Sequence, residues 1–382
     1  MMQASQRVLP FDRVVLVLQG GGALGAYQAG AVQALDEAEM RLDWVCGISI
    51  GAINASLIAG NPPKQRVERL REFWESVTQP QLSVPGFPWL PPPLWGDDVT
   101  ARMWANRMSA FGTMLYGAPN FFEPRPVPPL GSTADKPEDV SYYDVSRLKA
   151  TLSRLVDFDL INARRMRFSV GATNVRTGEP VYFENNQREI ALHHVMASAS
   201  LPPGFPPTEI DGEYYWDGGV VSNTPMQWVI ANGPLYTGLV FQVDLWDAVG
   251  EVPLDIAAAN LRATEIHSAS RINIFLDEFR RLQQIRCALS KFLEQVREDR
   301  RNEPEYRLLA GEARVQVATL VQLKYATKKY ESASKIFEFS RSAMEEHWQA
   351  GYEDARAALE QPGILELPSA AEGVRVFGAR KA

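Results

Sequence analysis

The chain has 382 residues, with 39 Lys and Arg against 46 Asp and Glu, for a net charge of -7. Hydrophobic residues make up 46%, which excludes a disordered chain and fits two or three domains or one large α/β domain. Acidity without a basic stripe argues against nucleic acid as the main partner. Cys46, Cys287 and four histidines allow no disulfide framework and leave little for a metal site.

Residues 14–18, Val-Val-Leu-Val-Leu, form an apolar run ending at a glycine cluster, as in a buried parallel strand. Helical spacing follows over 25–40, a second strand over 43–46, and a small-residue, all-apolar helix over 50–59. Strand, helix, strand, helix predicts an α/β fold with a mostly parallel sheet. An amphipathic helix is expected over 61–75. The stretch 80–137 then holds twelve prolines and many aromatics, among them Phe87, Trp89, Trp95, Trp104, Phe111, Phe121 and Phe122. It reads as an excursion spanning about 76–140, with one helix near 99–115, and as a candidate lid.

Regular structure resumes with a helix over 143–155, strands over 167–173 and 180–183, a short helix over 193–200, and strands over 213–216 and 239–243. From 255 the chain becomes charged and helical. A long amphipathic helix is expected over 272–296, a strand over 315–323 and a last helix over 335–359. The division expected is a catalytic domain over 12–250 and a mostly helical region over 251–382 packed on it. The 272–296 helix is a candidate homo-oligomer contact.

Four stretches of at least twenty residues lack any charge: 14–35, 44–63, 76–96 and 218–243. Each is long enough for a membrane span, yet all are interrupted by glycines, prolines or amides. They read instead as buried or site-forming segments. No apolar run of signal-peptide length precedes Arg13. The expectation is a cytoplasmic protein, with transient contact at a membrane surface.

Three motifs carry chemistry. Gly20-Gly21-Gly22-Ala23-Leu24-Gly25 lies between a strand and a helix, where backbone N–H groups meet negative charge. It also fits the dinucleotide fingerprint, but the acid that pattern needs, Asp43, stands at the wrong end of its strand. Gly47-Ile48-Ser49-Ile50-Gly51 sits at a strand-to-helix turn, the form of a nucleophile elbow. Such a serine needs an oxyanion hole, for which the N–H groups of Gly20, Gly21, Gly22 and Ile50 are available. Asp217-Gly218-Gly219 places a carboxylate ahead of 26 uncharged residues, in surroundings suited to a base.

A glycine loop after the first strand, G-x-S-x-G soon after it and Asp-Gly-Gly much later resembles the patatin-like lipid acyl hydrolases. The likeness extends to Ser198, Pro202, Phe205-Pro206-Pro207 and Asn223-Thr224-Pro225, and spans about 13–245. It implies a three-layer α/β/α sandwich and a Ser49–Asp217 dyad that needs neither metal nor cofactor. The reaction implied is cleavage of acyl esters of lipids, of phospholipase A, lysophospholipase or esterase type, through an acyl-enzyme. Leu24 departs from a position where the family often has Arg or Lys, so phospholipid specificity is less secure than ester hydrolysis. His193 and His194 lie near the 201–207 loop. His267 and His347 are expected to be solvated. An acyltransferase using the same dyad and a nucleotide-binding Rossmann-like protein stay open as alternatives.

Overall fold

The computed structural model describes residues 9–79, 99–126, 134–233, 237–314 and 316–378. Much of the candidate lid, including Phe87, Trp89 and Trp95, lies outside them. The apolar run at the start becomes β1 (Arg13–Leu18), followed by α1 (Gly25–Glu37), β2 (Trp44–Ile48), α2 (Ile50–Ala59) and α3 (Arg66–Val77). Next come α4 (Val99–Tyr116), β3 (Glu123–Pro124), β4 (Tyr143–Asp144), α5 (Ser146–Leu155) and α6 (Phe158–Asn162). Then follow β5 (Arg167–Asn174), β6 (Pro180–Glu184), α7 (Leu192–Ser198), β7 (Thr208–Ile210), β8 (Glu213–Asp217), α8 (Met226–Asn232) and β9 (Thr237–Asp244). The last part holds α9 (Ile256–Ser268), α10 (Ile272–Glu294), α11 (Pro304–Glu312), β10 (Val317–Lys324), α12 (Arg341–Leu359) and β11 (Val374–Gly378).

The main sheet runs β11-β10-β9-β1-β2-β5-β8-β7, with β6 also pairing β5. From β11 to β5 every pairing is parallel, while β6, β8 and β7 are antiparallel. Period-two alternation sends the two faces of β1 into two cores. Leu16 and Leu18 join the larger one with residues of α1, α2 and α12. Val15 and Val17 join the smaller one with Met226 and Val229 of α8 and Ile272, Leu276 and Phe279 of α10. This is the three-layer α/β/α arrangement expected. α10 spends only part of its apolar stripe this way, since Ile285 and Phe292 are exposed.

The C-terminal region is more deeply integrated than a packed-on helical unit. β10 pairs with β9, as an expected strand, and β11 adds an unexpected one outside it. The last helix starts at Arg341 rather than 335, because Ala333–Phe337 forms a 3-10 turn and Ser340 caps α12 by accepting from Ala343 N–H at 3.2 Å. α12 lies directly against α1. A Cβ at Gly30 would stand 1.8 Å from the Trp348 carbonyl oxygen, and one at Gly351 1.9 Å from that of Tyr27. Two helix backbones therefore touch at a crossing that only glycines permit. His347, expected to be solvated, is buried in this packing and paired with Glu331 at 3.1 Å. No helix among the described residues is long and apolar enough to cross a membrane.

Candidate active site

Ser49 stands between the last residue of β2 and the first of α2. Its φ is +57° and ψ -126°, a left-handed backbone that costs a non-glycine residue of order 1–3 kcal/mol. The neighbouring glycines make the turn sterically feasible. A Cβ at Gly47 would lie 2.2 Å from the Gly51 carbonyl oxygen, and one at Gly51 2.3 Å from that of Leu18. The Ser49 N–H donates to Ser198, to its carbonyl at 3.1 Å and its Oγ at 3.2 Å, and Ser198 Oγ donates to Gly171 O at 2.6 Å. The C-terminal end of α7 thus holds the strained turn in place.

Asp217 ends β8, where it pairs across to Ala172 of β5. Its N–H donates to Ser200 O at 2.9 Å, and Thr173 Oγ1 donates to its carbonyl at 3.1 Å. Oδ1 accepts from the Gly219 N–H at 2.7 Å. The residue is only 1% exposed. Burial pushes its carboxyl from 3.8 up to about 7, opposed by the Ser49 hydroxyl and the Gly219 N–H. Oδ2 has no hydrogen-bond partner of normal geometry, so the contact with Ser49 is looser than a formed bond.

The glycine loop is tied from its back. Gly20 O accepts from Trp246 Nε1 and Asn223 Nδ2, both at 3.0 Å. The Gln19 side chain donates to Thr224 Oγ1 and Ser268 O and accepts from the N–H groups of Leu245 and Trp246. Gly20 N–H itself donates to Asn223 O at 3.2 Å, so this expected oxyanion donor is already spoken for. Gly21 and Gly22 remain on the loop. Gly22 and Ile50 open helical turns, so their N–H groups have no acceptor within their own helices. Gly25 brings the loop onto the elbow, since a Cβ there would be 2.5 Å from Ile50 Cγ1. Gly218 packs equally closely on Gly171 O, while Gly219 faces Asn223 Oδ1. Leu24 is fully buried in the larger core.

The other candidates fall away from this cluster. Asp43 accepts from Val14 N–H at 2.9 Å and pairs with Arg41 at the amino end of β2, a structural role. His194 is buried with its ring 4.8 Å from Phe183, and burial together with His193 and Arg188 lowers its pKa to about 4. His193 and His267 are exposed. Among the described residues no group of His, Cys, Asp and Glu could hold a metal ion. Ser198, expected only as part of the family likeness, proves to clamp the Ser49 turn, while the ties through Gln19 and Trp246 are not legible as site features in the sequence. For Gln19 the sequence signal is a polar residue in otherwise apolar surroundings.

A family model described as patatin-like phospholipase matches residues 16–230. The chain belongs to that family. A second model, described as patatin phospholipase, matches 266–371. A patatin-like phospholipase domain-containing protein of Caenorhabditis elegans is 43% identical over 68 residues, 18% of this chain and 6% of its own. The human patatin-like phospholipase domain-containing protein 6 is 41% identical over 73 residues, 19% of this chain and 5% of its own. Lysophospholipase NTE1 of Yarrowia lipolytica is 26% identical over 249 residues, 65% of this chain and 14% of its own. The chain therefore matches only a small part of these relatives' length. VipD from Legionella pneumophila overlaps 94% of this chain and 67% of its own, at 15% identity and a TM-score of 0.39.

Proposed function

We propose that this patatin-like chain hydrolyses acyl esters of lipids, with Ser49 as nucleophile and Asp217 as its base. The observation that carries the reading is the pairing of a strained, half-buried serine with a buried carboxylate whose Oδ2 lacks a partner. Asp217 takes the hydroxyl proton as Ser49 Oγ attacks the ester carbonyl. The tetrahedral oxyanion is held by the N–H groups of Gly21 or Gly22 and of Ile50. Asp217 returns the proton to the leaving alcohol, and an acyl ester forms on Ser49. Water then enters, deprotonated by Asp217, and releases the fatty acid. A base with a pKa near neutrality suits both halves of this cycle.

Relatives named lysophospholipase make a lysophospholipid the first substrate to try. The test is fluorophosphonate labelling and fatty-acid release from lysophosphatidylcholine, for wild type and Ser49→Ala. Labelling and release should both vanish in the variant. Equal labelling of the two would refute the reading.

A further inference from the structure

α4 is amphipathic in the inverted sense. Its polar positions Arg102, Asn106, Ser109 and Thr113 recur every three or four residues and face the protein. Arg102 pairs with Glu346 and lies 4.0 Å over the Tyr330 ring. Asn106 lines a cavity of about 10 Å³ shared with Lys335, Glu338 and His347. Ser109 donates to Glu338, and Thr113 is buried. The opposite face carries Trp104, Met108, Phe111 and Leu115 at the same spacing, and these are 60%, 45%, 52% and 49% exposed. Met114 and Tyr116 extend this apolar surface. A globular protein ordinarily turns such a stripe inward, and a contiguous exposed apolar patch marks an interaction surface.

Hydrogen bonds tie α4 to the segments that rim the site. Tyr143 OH donates to Met114 O at 2.8 Å, and the Tyr142 and Tyr143 N–H groups donate to Pro203 and Gly204 carbonyls. Leu201, beside the Ser200 that holds Asp217, is exposed, as are Val220 and Val221 just beyond Gly219. α4 has no acidic residue along its length, and its charges are Arg102 and Arg107.

We propose that the outer face of α4 docks this protein on a phospholipid bilayer, laying Trp104, Met108, Phe111 and Leu115 into the interface beside the Ser49 site. The inference rests on the acyl-lipid reading of that site, because a surface-bound substrate is what makes such docking useful. An interfacial helix buries its apolar face about 5–10 Å into the headgroup boundary and keeps cations toward the lipid phosphates. Arg107, three residues after Trp104 and four before Phe111, flanks the apolar stripe and complements an anionic surface, whereas Arg102 is spent on Glu346. The single-helix stripe suits a bilayer better than a groove-forming partner.

The experiment is co-sedimentation of the full chain with phosphatidylcholine–phosphatidylglycerol vesicles, for wild type, Trp104→Ser/Phe111→Ser and the conservative Trp104→Phe. Hydrolysis of soluble p-nitrophenyl butyrate is measured in parallel. The double variant should partition at least about tenfold less, Trp104→Phe should retain binding, and soluble-ester turnover should be unchanged in both. A wild type that does not sediment with vesicles overturns the proposal. So does a double variant that sediments as well as wild type, or one whose loss instead reports a dimer falling apart in size-exclusion chromatography. Failure of the hydrolase reading looks different: wild type would leave the soluble ester intact while vesicle binding still followed Trp104 and Phe111.

Discussion

Replacing Asp217 by Asn should abolish turnover and make the protein more stable. Asn is nearly isosteric, its Oδ1 can still accept from Gly219 N–H, and it carries no charge to bury. In the native fold the carboxyl is raised from 3.8 to about 7 by burial. A group with a raised folded pKa binds its proton more tightly folded than unfolded, so stability falls as pH rises between the two values. Below about pH 4 both states are protonated and wild type and variant should differ little. Above about pH 7 the difference reaches its plateau, with an upper bound of about 4 kcal/mol. Water penetration and relaxation reduce such values, and a gain of about 1–3 kcal/mol is expected at pH 8. Asp244 is a second buried carboxyl raised to about 7, but it is common to both proteins and cancels in the difference. Urea unfolding of wild type and Asp217→Asn at pH 4 and pH 8, with ester turnover alongside, measures both effects. A variant that is less stable at pH 8, or whose gain is the same at both pH values, would refute the argument from burial. Retained turnover would remove Asp217 from the mechanism.

Three further outcomes follow from the geometry. Turnover by the wild type should rise with pH and half-titrate near about 7, because only the ionised Asp217 can take the serine proton; a flat profile between pH 5 and 8 would contradict this. Gly20→Ala would set a Cβ 2.3 Å from Asn223 Oδ1 and 3.0 Å from Ser49 Cβ, so kcat should fall about a hundredfold with the circular dichroism spectrum unchanged. Gly351→Ala forces α1 and α12 apart at a backbone contact, and chemical denaturation should show a loss of about 3 kcal/mol or more.

The chemistry-bearing turns were legible because their requirements are local. A serine at positive φ between two close backbone approaches demands glycines two residues to either side, whatever the rest of the fold does. Asp217 announced itself by the uncharged sequence behind it. The use of Gly20 N–H by Asn223 was not legible, since it depends on segments about 200 residues apart meeting beyond the carboxyl end of β1. His347 sat in a charged helical pattern that signals exposure, but α12 packs on α1 and its partner Glu331 comes from a separate turn. β11 is five residues long, and its identity comes from pairing with β10 rather than from its own pattern. For α4, periodicity separates the two faces but does not say which one turns inward. That is decided by Glu338 and Glu346, residues of the C-terminal region.

The sheet order has a practical consequence for anyone shortening this chain. The match at 16–230 stops short of β9, and a cut near 250 would leave β9 without β10. Eight residues of open strand edge would then invite pairing between molecules. The groove that receives α12 at Gly30 would also be laid bare. The loop bearing Gly22 would lose the Ile336 carbonyl it leans on. The boundary that sequence comparison draws between two modules therefore crosses a single mechanical unit, and a fragment ending there should aggregate before it can be assayed.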